Sequence, residues 1–196
     1  PRGLAARRVN GVALALLVVA APPVWVPADS TASIAGVARG IATTMLLYAW
    51  VISVFRSGSE RSTPRLFAVA VVATVPFGLA ASVLVALFAD VQLYDTYFGV
   101  GLFHLEMDVV LLAFLGGMHL WRPQLTGRAE TGRAEWIGPG LLWAGIVLTS
   151  VAQLVLGYEG MPRRYFTYLP EYEGLRVTAS IGAGLQALAL VWIAVR

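Results

Sequence analysis

The sequence predicts an all-α, polytopic membrane protein built as a bundle of six transmembrane helices. Hydrophobic residues make up 58% of the chain, charged residues only 13%, and the mean hydropathy is +0.75. This balance excludes a soluble globular domain. The apolar residues fall into segments long enough to cross about 30 Å of hydrocarbon at ~1.5 Å per residue. They predict a single membrane domain over 1–196, with helices at roughly 9–26, 34–55, 66–89, 98–121, 137–156 and 175–195.

The proline content of two segments affects how they end and bend. The first segment is the shortest and carries Pro22 and Pro23 near its end, so its boundary is the hardest to place. Pro76 lies inside the third segment and is expected to kink that helix. A packed bundle tolerates such a kink, because neighbouring groups satisfy the freed backbone atoms.

The arginines predict the orientation of the bundle. All 14 basic residues are arginines, and the loops near one side of the membrane hold most of them. Loops rich in arginine face the cytoplasm, so both termini are predicted to be cytoplasmic and the loop at 157–174 to lie outside. The same spread over loops argues against nucleic acid as a partner, despite a pI of about 9.6. The cytoplasmic set is Arg2, Arg7, Arg8, Arg56, Arg61, Arg65, Arg122, Arg128, Arg133 and Arg196.

Cysteine is absent from the chain. Disulfides, thiolate metal sites, c-type haem attachment and cysteine-bound iron–sulfur clusters are therefore excluded for this chain. No signal-peptide cleavage pattern follows the first segment. The first residue, Pro1, fits either removal of an initiator Met or a chain cut from a longer one.

Ionisable residues inside the fourth segment are the main functional signal. His104, Glu106 and Asp108 lie at a depth where ionisable side chains are costly unless they are paired or coordinated. At about 100° per residue, Asp108 lies near the face of His104, while Glu106 shares the opposite face with Leu102. A neutral imidazole is a good axial ligand for haem iron. The alternative is a buried histidine hydrogen-bonded to a neighbouring helix.

Two motifs, at 95–104 and 160–165, carry a resemblance to subunit I of the haem-copper (cytochrome c) oxidases. Asp95-Thr-Tyr-Phe-Gly-Val-Gly-Leu-Phe-His104 resembles the family's tenth transmembrane helix. Gly-Met-Pro-Arg-Arg-Tyr is similar to a loop that follows it in the family. The Phe-His-Leu-Glu wording and Trp121-Arg-Pro-Gln-Leu-Thr-Gly127 most resemble B-type members. The resemblance covers this entire chain and implies the C-terminal six-helix half of that subunit.

The resemblance implies that this chain binds a low-spin haem, of a or b type. His104 stands at the family's axial ligand to that haem, and Arg163 and Arg164 stand at the arginine pair that holds the propionates. Planar guanidinium groups suit carboxylates. The alternative for this pair is binding to lipid phosphate or to Glu159. The family's second axial ligand comes from an early helix, so a partner chain or an N-terminal half is expected to supply it, among other oxidase-type subunits in the lipid membrane.

Leu102 is a departure from the family. It stands where the family ligates the high-spin haem, and leucine cannot coordinate iron. No histidine precedes His104, so the family's copper ligands are not matched and copper is not expected in this chain. The high-spin site is therefore predicted to be degenerate. No residue is assigned as catalytic, and whether the chain serves in an active terminal oxidase stays open.

Four polar residues have no role that the motifs assign. Glu106 and Asp108 have two open roles, a proton relay and a buried hydrogen bond to a partner helix, and Asp108 has a third, accepting the other ring N–H of His104. Asp95 resembles a residue near the family's outer magnesium site, but the histidine usual beside it is missing. His119 is interpreted as an interfacial anchor.

The sequence thus predicts a cytochrome c oxidase subunit I-like component of a respiratory electron-transfer complex in a prokaryotic cytoplasmic membrane. The alternative is a degenerate, non-catalytic paralogue that acts as a structural or assembly subunit without haem. The retained motifs argue against this alternative, and Leu102 argues for it. A small transporter that uses Glu106 and Asp108 is a third possibility, with no motif behind it.

Overall fold

The chain divides into two compact units, Pro1–Glu60 and Arg61–Arg196. In the first unit, a short apolar helix at Leu47–Arg56 overlaps the second predicted segment and ends one residue beyond it. The first predicted segment and the remainder of the second lie outside the described residues, so the six-helix count and the single domain stay predictions. The computed structural model describes residues 45, 47–52, 54–56, 62–88, 93, 95–127 and 133–195.

Four long helices form the described part of the second unit. Helix α1 spans Ser62–Phe88, α2 Tyr97–Thr126, α3 Ile137–Tyr158 and α4 Glu173–Val195. Each is long and apolar enough to cross a membrane. The described residues are thus all-α and include four candidate membrane spans, as expected for a polytopic membrane protein. Pro76 lies inside α1, and the kink expected there stays a prediction. Short 3₁₀ turns at Arg133–Trp136 and Pro170–Tyr172 lead into α3 and α4.

Helices α1 and α2 run further than their apolar segments. The sequence placed the start of α1 at about residue 66 and the end of α2 at about 121, whereas the helices begin at Ser62 and end at Thr126. Hydropathy marks only the part of a helix that lies in hydrocarbon. The backbone hydrogen bonds continue into polar residues, because these residues also form helix readily.

Helix α3 packs against both α2 and α4 at points where glycine replaces a side chain. A Cβ built on Gly157 would overlap the backbone of Phe98 in α2. A Cβ built on Gly145 would lie 2.7 Å from the carbonyl oxygen of Gly182 in α4. In a membrane, close packing of this kind replaces the hydrophobic effect as the force that holds helices together.

Polar side chains join α3 to α4 beside these glycines. The Thr149 hydroxyl donates to the Ala179 carbonyl at 3.2 Å and accepts from the Gln186 amide at 3.2 Å. Such interhelical hydrogen bonds contribute about 0.6 kcal/mol each within a membrane protein. They fix the register of the two helices as well as their separation.

We expect Gly157→Ala to destabilise the bundle, because the added methyl group forces α2 and α3 apart. The expected loss is about 1–3 kcal/mol, as for overpacked cores. Gly184→Ala in α4 is the matched control, since a Cβ there meets nothing within 4 Å. Thermal unfolding in detergent, followed by circular dichroism, measures both. Equal midpoints for the two variants would contradict the close approach at Gly157.

Candidate functional site

The two motifs of the sequence lie side by side where α2 begins and α3 ends. Thr96 and Pro162 form an isolated antiparallel bridge. The Tyr97 N–H donates to the Met161 carbonyl at 2.9 Å, and the Arg163 N–H donates to the Asp95 carbonyl at 3.1 Å. We call these two segments, 95–97 and 161–163, the motif junction. The sequence placed the two motifs on one side of the membrane but did not predict that their backbones join.

An ion pair closes the motif junction. The Arg163 guanidinium lies 2.6 Å from the Asp95 carboxylate, measured from Nη2 to Oδ1. The Arg163 side chain is 29% exposed and the Asp95 side chain 75% exposed. The partner considered for Arg163 from the sequence, Glu159, is not the carboxylate found against it. Sequence reasoning missed this pair, because its two members stand 68 residues apart.

The next residue, Arg164, has a different environment. It is exposed, and its φ of 68° places it in the left-handed region. A side-chain-bearing residue held there costs about 1–3 kcal/mol, and such residues cluster at functional sites. Within the described part of the chain, no ion pair of Arg164 is seen. The two neighbouring arginines therefore differ in both backbone geometry and charge compensation.

Aromatic side chains support the motif junction from the bundle side. The rings of Tyr97 and Tyr168 meet edge to face at 6.1 Å, and the Arg176 guanidinium lies 4.6 Å from the centre of the Tyr168 ring. Arg176 belongs to α4, so these contacts connect the junction to that helix. A buried apolar cluster adjoins the motif junction. It consists of Leu156, Met161 and Tyr172, and Tyr97, Tyr168 and Leu175 pack against it.

The imidazole of His104 is oriented by its own helix. Its Nδ1 lies 2.9 Å from the Val100 carbonyl oxygen, one turn earlier in α2. A carbonyl only accepts hydrogen bonds, so the neutral ring carries its proton on Nδ1 and its lone pair on Nε2. This is the arrangement typical of histidines that ligate metals.

Asp108 does not accept a hydrogen bond from Nδ1 of His104, which was one of the three roles left open for it. The Val100 carbonyl occupies the position at His104 Nδ1 that the sequence interpretation left open for Asp108. The Asp108 side chain is buried, and its Oδ2 has no hydrogen-bond partner in the described part of the chain. Glu106 is exposed on α2. The proton-relay interpretation of these two carboxylates stays a prediction.

The other residues of α2 pack in ordinary ways. Leu102 is half-buried, and the exposed Phe103 ring meets the His104 ring edge to face at 6.0 Å. His119 donates a hydrogen bond from Nδ1 to the Leu115 carbonyl at 2.9 Å, and its ring lies 5.3 Å from that of Phe67 in α1. This packing accounts for His119 without a ligand, and its role as an interfacial anchor stays a prediction.

The structure places His104 away from the motif junction along the same helix. Seven residues separate Tyr97 from His104, which is about 10 Å of helical rise. Asp95 and Arg163 are brought into contact, and Arg164 follows directly, whereas His104 lies deeper along α2. The site residues thus form one polar group at the end of the bundle and one oriented imidazole below it.

Comparison with known proteins gives consistent matches. The family described as cytochrome c and quinol oxidase polypeptide I matches residues 11–185. The chain is 33% identical over 168 residues to cytochrome c oxidase subunit 1 of a Bacillus species, covering 84% of this chain and 27% of that protein. It is 31% identical over 159 residues to the probable cytochrome c oxidase subunit 1-beta of Nocardia farcinica, covering 78% and 27%.

A quinol oxidase is also among the similar proteins. The chain is 30% identical over 172 residues to the probable quinol oxidase subunit 1 of Staphylococcus haemolyticus, covering 85% of this chain and 26% of that protein. The chain therefore spans about a quarter of the length of the curated relatives that it matches.

Proposed function

Because the chain belongs to the cytochrome c and quinol oxidase polypeptide I family and is an integral membrane protein, we propose that it provides the low-spin haem site of a respiratory electron-transfer complex. The observation that carries this proposal is the family match over residues 11–185, and the orientation of His104 within that region is compatible with it. Its Nδ1 is held at the Val100 carbonyl, so Nε2 is left as the ligating nitrogen. The residues present fit the group that the family implies.

Each site residue has a separate task in this proposal. His104 would ligate the haem iron, and Arg163 and Arg164 would hold the propionates through charge-assisted hydrogen bonds. The haem, of a or b type, supplies one-electron transfer when it is bound. A partner chain or an N-terminal half would supply a second iron ligand, within a complex that includes other oxidase-type subunits. The location proposed is a prokaryotic cytoplasmic membrane.

Leu102 limits what the site does. It removes the ligand for a high-spin haem, and no histidine precedes His104 to hold copper. The proposal is therefore electron transfer through a degenerate subunit I, closest to B-type members, and not oxygen reduction by this chain. Leu102 also favours the second candidate, a structural or assembly subunit that binds no haem.

Haem content separates these two candidates. A complex purified through a tag on this chain is expected to show the sharp reduced α-band of low-spin haem, in proportion to the amount of chain. A haem-free complex with all its subunits present would support the structural role and contradict the haem site.

The proposed orientation predicts which loops are reachable from outside. Single cysteines at positions 61 and 128 are expected to resist an impermeant thiol reagent in intact cells. A cysteine at Phe166, which is fully exposed beside Arg164, is expected to react. The native chain has no cysteine, so the labelling has no background. Labelling of 61 and 128 in intact cells, rather than only after permeabilisation, would overturn the topology.

A further inference from the structure

The two arginines of the site carry unequal charge, and Asp95 is the reason. We propose that Asp95 is a positioning residue that neutralises Arg163, so that Arg164 supplies the net positive charge at the haem propionates. This inference rests on the proposed function. In this arrangement the two arginines do not contribute equally to binding the propionates. Asp95 acts through Arg163 and needs no magnesium ion for this role.

The first support is that the Asp95–Arg163 pair is held in place by the backbone. Exposed ion pairs contribute little, in part because two long side chains lose freedom when they meet. Here the bridge at Thr96 and Pro162 and the two flanking backbone hydrogen bonds already fix both residues. Forming the 2.6 Å ion pair therefore costs the two residues less conformational entropy.

The second support is the distribution of charge at the motif junction. Asp95 and Arg163 together are neutral, and a close pair of opposite charges acts at a distance only as a dipole. Arg164 adds one unit of positive charge that no described carboxylate matches. A haem propionate is therefore attracted more strongly to Arg164 than to Arg163. The Arg163 guanidinium already donates a hydrogen bond from Nη2 to the Asp95 carboxylate.

The third support is the backbone of Arg164. Its φ of 68° is a conformation that glycine adopts freely and that other residues adopt at a cost. The side chain is exposed, so packing offsets little of that cost. A long cationic side chain in a position suited to glycine indicates that the side chain itself is used.

The direction in which the haem midpoint potential shifts in variants of these residues tests the unequal roles of the two arginines. A positive charge near the propionates favours the reduced haem, so Arg164→Gln is expected to lower the potential. Arg164→Lys, which keeps the charge, is expected to retain it. Asp95→Asn uncovers the charge of Arg163 and is expected to raise it. The double variant D95N/R163Q removes a neutral pair and is expected to return close to the wild-type value.

Redox titration of the purified complex, each variant assembled with the full chain, measures these shifts. If the midpoint potential of the double variant falls as far as that of Arg164→Gln, Arg163 is the main propionate contact and the proposal is overturned. No shift in Arg164→Gln would do the same. Arg164→Gly guards against misfolding, because it relieves the strained backbone while it removes the charge, and the same fall is expected.

Failure of the proposed function has a different outcome from failure of this inference. If the wild-type complex contains no haem, the proposed function is wrong and the inference falls with it. If haem is present and its α-band is unchanged in every variant, but the shifts lack the predicted signs, only the division of charge is wrong. The band intensity reports haem binding, and the potential reports the charges around it.

Discussion

The variant His104→Ala is expected to lose the reduced α-band of the low-spin haem completely. Removing the imidazole leaves one axial position of the iron without a ligand, and a six-coordinate low-spin haem does not survive that change. The helix itself should persist, since His104 is only half-buried and alanine is the best helix former. Optical spectra of the purified complex, with subunit content checked on gels, measure the result.

His119→Ala is the matched control for that experiment. His119 lies on the same helix, and its Nδ1 faces a carbonyl one turn earlier at the same 2.9 Å as that of His104. Fifteen residues separate the two histidines, about 22 Å of rise. The control is expected to keep the full band. A band retained in His104→Ala would mean that any haem in the complex belongs to a partner.

The second large effect is the absence of carbon monoxide binding. Carbon monoxide binds ferrous haem only where a coordination position is open, and the proposed haem has both positions filled. In the proposed assignment, Leu102 takes the place of the family's ligand to the high-spin haem, so no second haem site is expected in this chain. The spectrum of the reduced complex is therefore expected to stay unchanged when carbon monoxide is added. Flash photolysis should give no recombination signal.

Glu106 is the residue that could ligate a second haem and so allow carbon monoxide to bind. It lies one turn from Leu102 on α2 and is exposed, so its carboxylate is an alternative oxygen ligand for a second haem. A photolysable adduct, in a preparation free of any other subunit I-like chain, would contradict the degenerate site. Loss of that adduct in Glu106→Ala, with retention in His119→Ala, would identify the ligand responsible.

Helices were the easiest part of this protein to predict from its sequence. A membrane span requires a long apolar run, and the runs ending near 89, 121, 156 and 195 each coincide with a helix. The glycine contacts were not predicted. A sequence shows where glycines occur, but it does not show that Gly157 meets Phe98 or that Gly145 meets Gly182.

The assignment of the site residues stays a prediction, and the contacts that they make were not predicted. His104 and the arginine pair came from motifs, which preserve identity along the chain. The Asp95–Arg163 pair depends on how α2 and the loop after α3 meet, and no local pattern encodes that meeting. The Val100 contact was within reach, because a histidine in a helix commonly meets the carbonyl one turn earlier. Asp108 was considered for that position instead.

The variant His104→Met tests the central claim most directly, because it exchanges the proposed ligand rather than deleting it. Methionine also binds haem iron axially, and it raises the midpoint potential relative to histidine. Near-infrared magnetic circular dichroism of the oxidised complex reports axial ligands. The account predicts that His104→Met moves the charge-transfer band to the position of a thioether ligand and raises the potential. A band and a potential identical to those of the wild-type complex would show that His104 does not ligate the haem.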